Sequence, residues 1–181
     1  MGDSGLMKKN ELLGKLKDFI RNISFQQVKL IKVDFEASNK LSGEYIIGGM
    51  INRQFKFNLN QTYIGKTFDD KGNEMTIASG SYIFDLTDKF TGGEEVRRLE
   101  GSASPKELEI KYELNYELIL FLNSENIFIN ESEDDKKEIL RAFYEQSGKI
   151  VIFPYIRHMM DILTREAGFL TPSLPPIIFK N

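Results

Sequence analysis

Between Leu108 and Leu122 every second residue is apolar: Leu108, Ile110, Tyr112, Leu114, Tyr116, Leu118, Leu120 and Leu122. Glu107, Glu109, Lys111, Glu113, Asn115 and Glu117 fill the gaps until Ile119 and Phe121 replace them. A period of two is the signature of a strand, with one face in the core along its length. The other face is wet at first and covered later. So long a strand needs neighbours to pair its backbone, and the sequence supplies them. Val28 and Leu30 alternate, then Ile31, Val33 and Phe35 alternate in the opposite parity, as a bulged strand would. Phe55, Phe57, Leu59 and Tyr63 mark a further strand, and Ile77, Tyr82, Phe84 and Leu86 another. The turn Asp69–Glu74 joins that pair into a hairpin, with Gly72 free to take positive φ.

Helical spacing brackets the strands. Leu12, Leu13, Leu16, Phe19 and Ile20 predict an amphipathic helix over Lys8–Arg21. Ser132 caps a second helix that carries Ile139, Leu140 and Phe143 and stops at Gly148. A third starts at Phe153–Pro154, carries Ile156, Met159, Met160 and Leu163, and stops at Gly168. The tail from Phe169 holds three prolines and cannot be helical throughout. Asn39–Gly49, with Tyr45, Ile46 and Ile47, reads as a crossover loop, and Thr91–Pro105 as a surface loop. The order of elements predicts an α+β fold. Its sheet is antiparallel, of about four strands and Greek-key-like, packed with a long C-terminal helix and an extra N-terminal one. Residues 1–7 are expected to be a flexible leader and residues 8–181 a single domain.

Composition removes several functions. With a net charge of −3 and basic runs no longer than pairs, the chain has no electrostatic footprint for nucleic acid. It has no cysteine, hence neither disulfides nor a thiolate zinc site. No apolar run reaches the length of a signal peptide or a membrane helix, so the expected location is the cytoplasm without membrane insertion. The single histidine, His158, cannot build a histidine metal cluster. Gly65–Thr67 reads GKT, but the phosphate loop also needs a glycine where Asn60 stands. Asp69–Glu74 lacks the spaced ligands of a calcium loop. The expectation is a protein without cofactor or metal, and not an enzyme.

Two segments carry a resemblance. Phe153, Pro154, Tyr155, Arg157 and Thr164–Arg165, followed by Phe169, Leu174, Pro176 and Phe179, are similar to the long helix and proline-rich ending of the SecB export-chaperone family. Near the front, Asp34–Asn39 (DFEASN) resembles the same family's first strand. There are departures. His158 stands where the family has glutamate, and Arg165–Phe169 holds one residue more than the family's turn. The family's C-terminal helix has no counterpart after Phe179.

The resemblance implies an ATP-independent holdase, a dimer of dimers, whose apolar surface grooves hold unfolded polypeptide clients. The groove residues it suggests are Tyr45, Ile46, Ile47, Phe55 and Phe57 from the crossover side, with Phe169, Leu170, Leu174 and Ile178 from the tail. Glu36 matches a family glutamate on the side that faces the SecA translocase. Three readings stay open: a general holdase in protein export, a SecB-like chaperone dedicated to one client such as an antitoxin, and an α+β protein binding a small apolar ligand.

Overall fold

The computed structural model describes residues 3–37, 45–46, 49–92, 97–98, 107–123, 128 and 131–166. Helix α1 (Asp3–Arg21) leads into β1 (Ile23–Ala37), β2 (Tyr45–Ile46), β3 (Gly49–Phe68), β4 (Glu74–Gly92), β5 (Arg97–Arg98) and β6 (Glu107–Leu122). Helix α2 (Glu133–Phe143), a π-helical turn (Tyr144–Gly148) and helix α3 (Lys149–Glu166) complete it. The main sheet runs in the order β1-β6-β4-β3, while β2 and β5 form a separate two-stranded ribbon. The β3–β4 hairpin closes as its turn chemistry requires. Gly72 sits at φ 82°, and the Asp69 carboxylate accepts the backbone N–H groups of Lys71 (2.9 Å) and Asn73 (2.8 Å). Asn22, just before β1, meets Asn123, just after β6, and Lys32 meets Glu113 along the strands, so the numbers rise on one strand as they fall on the other. The pairing is antiparallel. With β1 returning beside β6, the topology is the expected Greek key.

The alternation that predicts β6 holds to the residue. From Ile110 to Leu122 every even-numbered side chain is buried, and none of the odd-numbered ones is. Chain contacts group the protein into two compact units. Unit 1 is Met1–Ile31, Phe57–Ile83 and Asn115–Ile152; unit 2 is Lys32–Lys56, Phe84–Leu114 and Phe153–Asn181. Each unit takes part of every strand in the four-stranded sheet, so neither corresponds to a continuous stretch of sequence.

In unit 1, Phe19 is wholly buried, its ring 5.8 Å from Phe128 and 5.2 Å, edge-on, from Phe143. This aromatic knot fixes α1 against α2. Lys15 reinforces it by donating to Glu131 at 2.7 Å while lying 3.1 Å from Glu11. Ser132 caps α2 as expected, its hydroxyl accepting the N–H of Asp135 at 3.2 Å. The helix α1 begins at Asp3, earlier than the Lys8 its apolar spacing suggests and inside the segment expected to be a leader.

Gly148 is a correction. It does not end a helix, because the chain passes through the π turn straight into α3. The residue is small for another reason. A Cβ there would collide with the Tyr82 hydroxyl, which donates to the Tyr144 carbonyl at 2.8 Å. Gly80 likewise makes room for the Tyr144 ring. Pro154 consequently lies inside α3 rather than at a helix start. It forgoes a bond to the carbonyl of Ile150, an exposed residue on which water can take its place. The Phe128 carbonyl accepts the N–H of Glu131 at 3.1 Å, just ahead of the α2 cap.

In unit 2, α3 buries Ile156, Met160 and Thr164 at four-residue spacing. Thr164 Oγ1 donates to the Met160 carbonyl at 2.6 Å, which commits its one proton. The Tyr112 hydroxyl, 2.8 Å away, is therefore the donor in their contact. The Phe35 ring lies 5.1 Å from that of Tyr112. Asp88 is fully buried and held bidentately by Arg53, with both contacts at 2.7 Å. The partnership answers the cost of burying a carboxylate and clips the start of β3 to β4.

Candidate functional site

A fold that covers its apolar side chains this well makes the uncovered ones informative. Among the described residues of unit 2 they are Val33 on β1, Phe55 on β3, and Tyr155 and Ile162 on α3, with Phe55 54% exposed. In unit 1 they include Leu30 and Ile31 on β1, Tyr63 and Phe68 on β3, and Ile150 on α3. Ile31 reaches 60% and Phe68 68%. Strands β1 and β3 are the two edges of the main sheet, so much of this surface follows edge strands that soluble proteins ordinarily blunt with charge.

Unit 2 holds a cleft of about 440 Å³ lined by Phe35, Glu36, Ala37, Glu109 and Lys111. Its rim is ionic. Glu109 lies 3.1 Å from Lys89 and 3.6 Å from Lys111, and the hydrogen bond from Lys89 holds its carboxyl below the usual range. Beside it, Lys32 bridges Asp34 (2.6 Å) and Glu113 (2.9 Å). Glu36 is exposed. Phe35 and Ala37 are the apolar residues of this lining, and Glu36, Glu109 and Lys111 the charged ones.

His158 is exposed on α3 next to Arg157. Among the described residues no group of three or more His, Asp or Glu could hold a metal ion. No described helix is long and apolar enough to cross a membrane.

The residues suggested as a groove fall into three sets. Tyr45 and Ile46 form β2, and their cross-strand partners on β5 are Arg98 and Arg97 respectively. The segments read as a crossover loop and a surface loop thus each supply a strand to one ribbon, a pairing neither stretch announces alone. Phe55 is exposed on β3, whereas Phe57 is half-buried. The Phe57 ring lies 5.6 Å from that of Tyr82, with the Lys149 ammonium 5.7 Å above it. Ile47, Phe169, Leu170, Leu174 and Ile178 lie outside the described residues. Sequence reading passed over Leu30, Ile31, Tyr63, Phe68 and Ile150. The signal for the first two was present: apolar residues in both parities of one strand leave neither face wholly polar.

No family model matches this chain, and no curated protein does. Among solved structures, the fold is similar to that of the Mycobacterium tuberculosis Rv1957 SecB-like chaperone, determined in complex with a ChAD peptide from the Rv1956 HigA1 antitoxin. The likeness has a TM-score of 0.58 and covers 93% of this chain and 99% of that one, at 10% sequence identity. The chain has a SecB-like fold.

Proposed function

We propose that the protein is an ATP-independent holdase chaperone that keeps non-native polypeptides bound to exposed apolar surface. The observation that carries this reading is the SecB-like fold over nearly the whole chain, shared with a chaperone solved with a peptide bound. Two features of the molecule support it. Phe55, Val33, Tyr155 and Ile162 of unit 2 stay exposed, and the cleft beside Glu36 has charged lining residues that keep such a surface soluble.

The client surface comprises Tyr45, Ile46, Ile47 and Phe55, completed by Phe169, Leu170, Leu174 and Ile178 of the tail. Phe57, engaged with Tyr82, contributes as a support. Burying roughly 300 Å² of client apolar surface at about 25 cal/mol/Å² yields ~7 kcal/mol before ordering costs. Tight holding then requires several such segments, which a homotetramer supplies by avidity. The exposed apolar residues of edge strand β1 fit self-assembly. The protein works in the cytoplasm, with unfolded polypeptides as its clients.

A second reading, a chaperone dedicated to one antitoxin, is favoured by the antitoxin peptide held by the structural neighbour. In the export reading Glu36 contacts the SecA translocase.

The test is to titrate a permanently unfolded, fluorescently labelled polypeptide with the protein in the absence of nucleotide. Binding that saturates at stoichiometric amounts is expected, and Phe55→Asp should weaken it by about tenfold, near 1.4 kcal/mol. If the variant binds as the parent does, Phe55 is not part of the client surface. If the parent binds no unfolded chain, the holdase reading fails.

A further inference from the structure

We infer that the outer edge of β3, from Phe57 to Gly65, is a strand-addition site for extended client segments. The segments it takes alternate apolar with uncharged polar residues. The inference rests on the client-binding reading above. Strand β3 ends the main sheet and is paired on one side alone, to β4. An edge of this kind presents a row of N–H and C=O groups, which folded proteins blunt with charge or proline. Phe57–Gly65 (FNLNQTYIG) contains neither. The other edge, β1, carries a charge at every second or third position from Lys29 to Glu36. Asn58, Asn60, Gln61 and Tyr63 are all exposed, so the chain leaves the stretch open. All of it belongs to unit 1, and the turn at Asp69–Asn73 holds the hairpin that presents it.

The side chains define what fits. Leu59, Gln61 and Tyr63 share the face on which the Phe57 ring meets Tyr82. Tyr63 is 59% exposed, and its ring lies against Gly65, where a Cβ would collide with it. An added strand rests its apolar side chains on that face, beside Leu59 and Tyr63. On the opposite face Asn58, Asn60 and Thr62 offer amide and hydroxyl groups to uncharged polar side chains. Within the stretch a charged residue gains no partner on either face. Main-chain bonds supply the affinity, and the alternating faces supply the selection. A second copy of the chain is the less favourable occupant. Paired antiparallel over the same stretch, it would centre on Gln61 and set Lys56 of each chain opposite Lys66 of the other. Glu74 offsets only part of the Lys66 charge, since that ion pair is exposed.

The experiment uses a short labelled peptide that alternates valine with threonine, and a copy with two central residues replaced by proline. Proline removes N–H donors while keeping an apolar side chain. Affinities for the full-length protein are compared, alongside an unfolded polypeptide, and amide hydrogen exchange of Phe57–Gly65 is followed in each mixture. The first peptide should bind about tenfold tighter than its proline copy, the scale of one or two main-chain hydrogen bonds. Exchange across the stretch should slow when it binds. Asn58→Lys with Gln61→Lys, both at exposed positions, should remove the preference. Equal affinities, a preference that survives the two lysines, or unchanged exchange at Phe57–Gly65 overturn the site while the unfolded polypeptide still binds. Protection of the stretch that rises with the concentration of the protein alone also overturns it, and assigns the edge to a second copy. Failure to bind any of the three overturns the holdase reading and the inference with it.

Discussion

Gly80 and Gly148 illustrate what single residues decide in this molecule. Gly80 leaves room for the Tyr144 ring and Gly148 for the Tyr82 and Tyr144 side chains, and the Tyr82 hydroxyl closes the arrangement on the Tyr144 carbonyl. Gly148→Ala should cost about 3 kcal/mol in a urea unfolding experiment, from overpacking together with loss of a buried hydrogen bond. A cost below about 1 kcal/mol would mean the tyrosines can move aside. Burial raises the pKa of Tyr82, Tyr112 and Tyr144, and pushes Tyr116 up to about 12. In the unfolded chain each ionises near 10. The folded state therefore holds more protons above that point, and stability falls as pH rises from about 10 towards 12. Below 10 this contribution is fully present. Urea midpoints should be flat up to about pH 9.5 and then decline, with tyrosine ionisation of the native protein lagging behind that of the denatured chain.

At the scale of elements, β6 was legible because its environment differs face to face along its whole length, and a period of two records that difference directly. The turn at Asp69–Asn73 and the Ser132 cap were legible for the same reason: local chemistry alone determines them. The β2/β5 ribbon was not, since two residues carry no period and their pairing depends on contacts distant in sequence. The π turn and the interior position of Pro154 were misjudged because glycine and proline ordinarily mark helix ends. Here Gly148 answers to the Tyr82 hydroxyl across the core. Of the suggested client surface, Phe55 was legible as a strand residue, but its exposure was not: Phe57, two positions on, has the same pattern and packs on Tyr82. Helix α1 is an integral part of unit 1 rather than an appendage. Phe19→Ala should remove about 3–5 kcal/mol of stability, as expected for a fully buried ring. Circular dichroism during denaturation checks this, and an unchanged midpoint would mean that α1 is dispensable.

For the whole molecule, a SecB-like fold joins a closed core to apolar surface that the chain itself leaves uncovered. Such surface has a cost in solubility that ordinary globular proteins avoid, and the proposed binding of non-native chains would give it a use. The account makes the surface, rather than any reactive group, the working part. Dependence on nucleotide or metal is accordingly not expected. The most direct measurement is light scattering from a chemically denatured test protein diluted into buffer with and without this chain, nucleotide being absent. The account predicts that scattering falls in proportion to added protein and is suppressed near stoichiometric amounts. Aggregation that proceeds unchanged at a several-fold excess would contradict it.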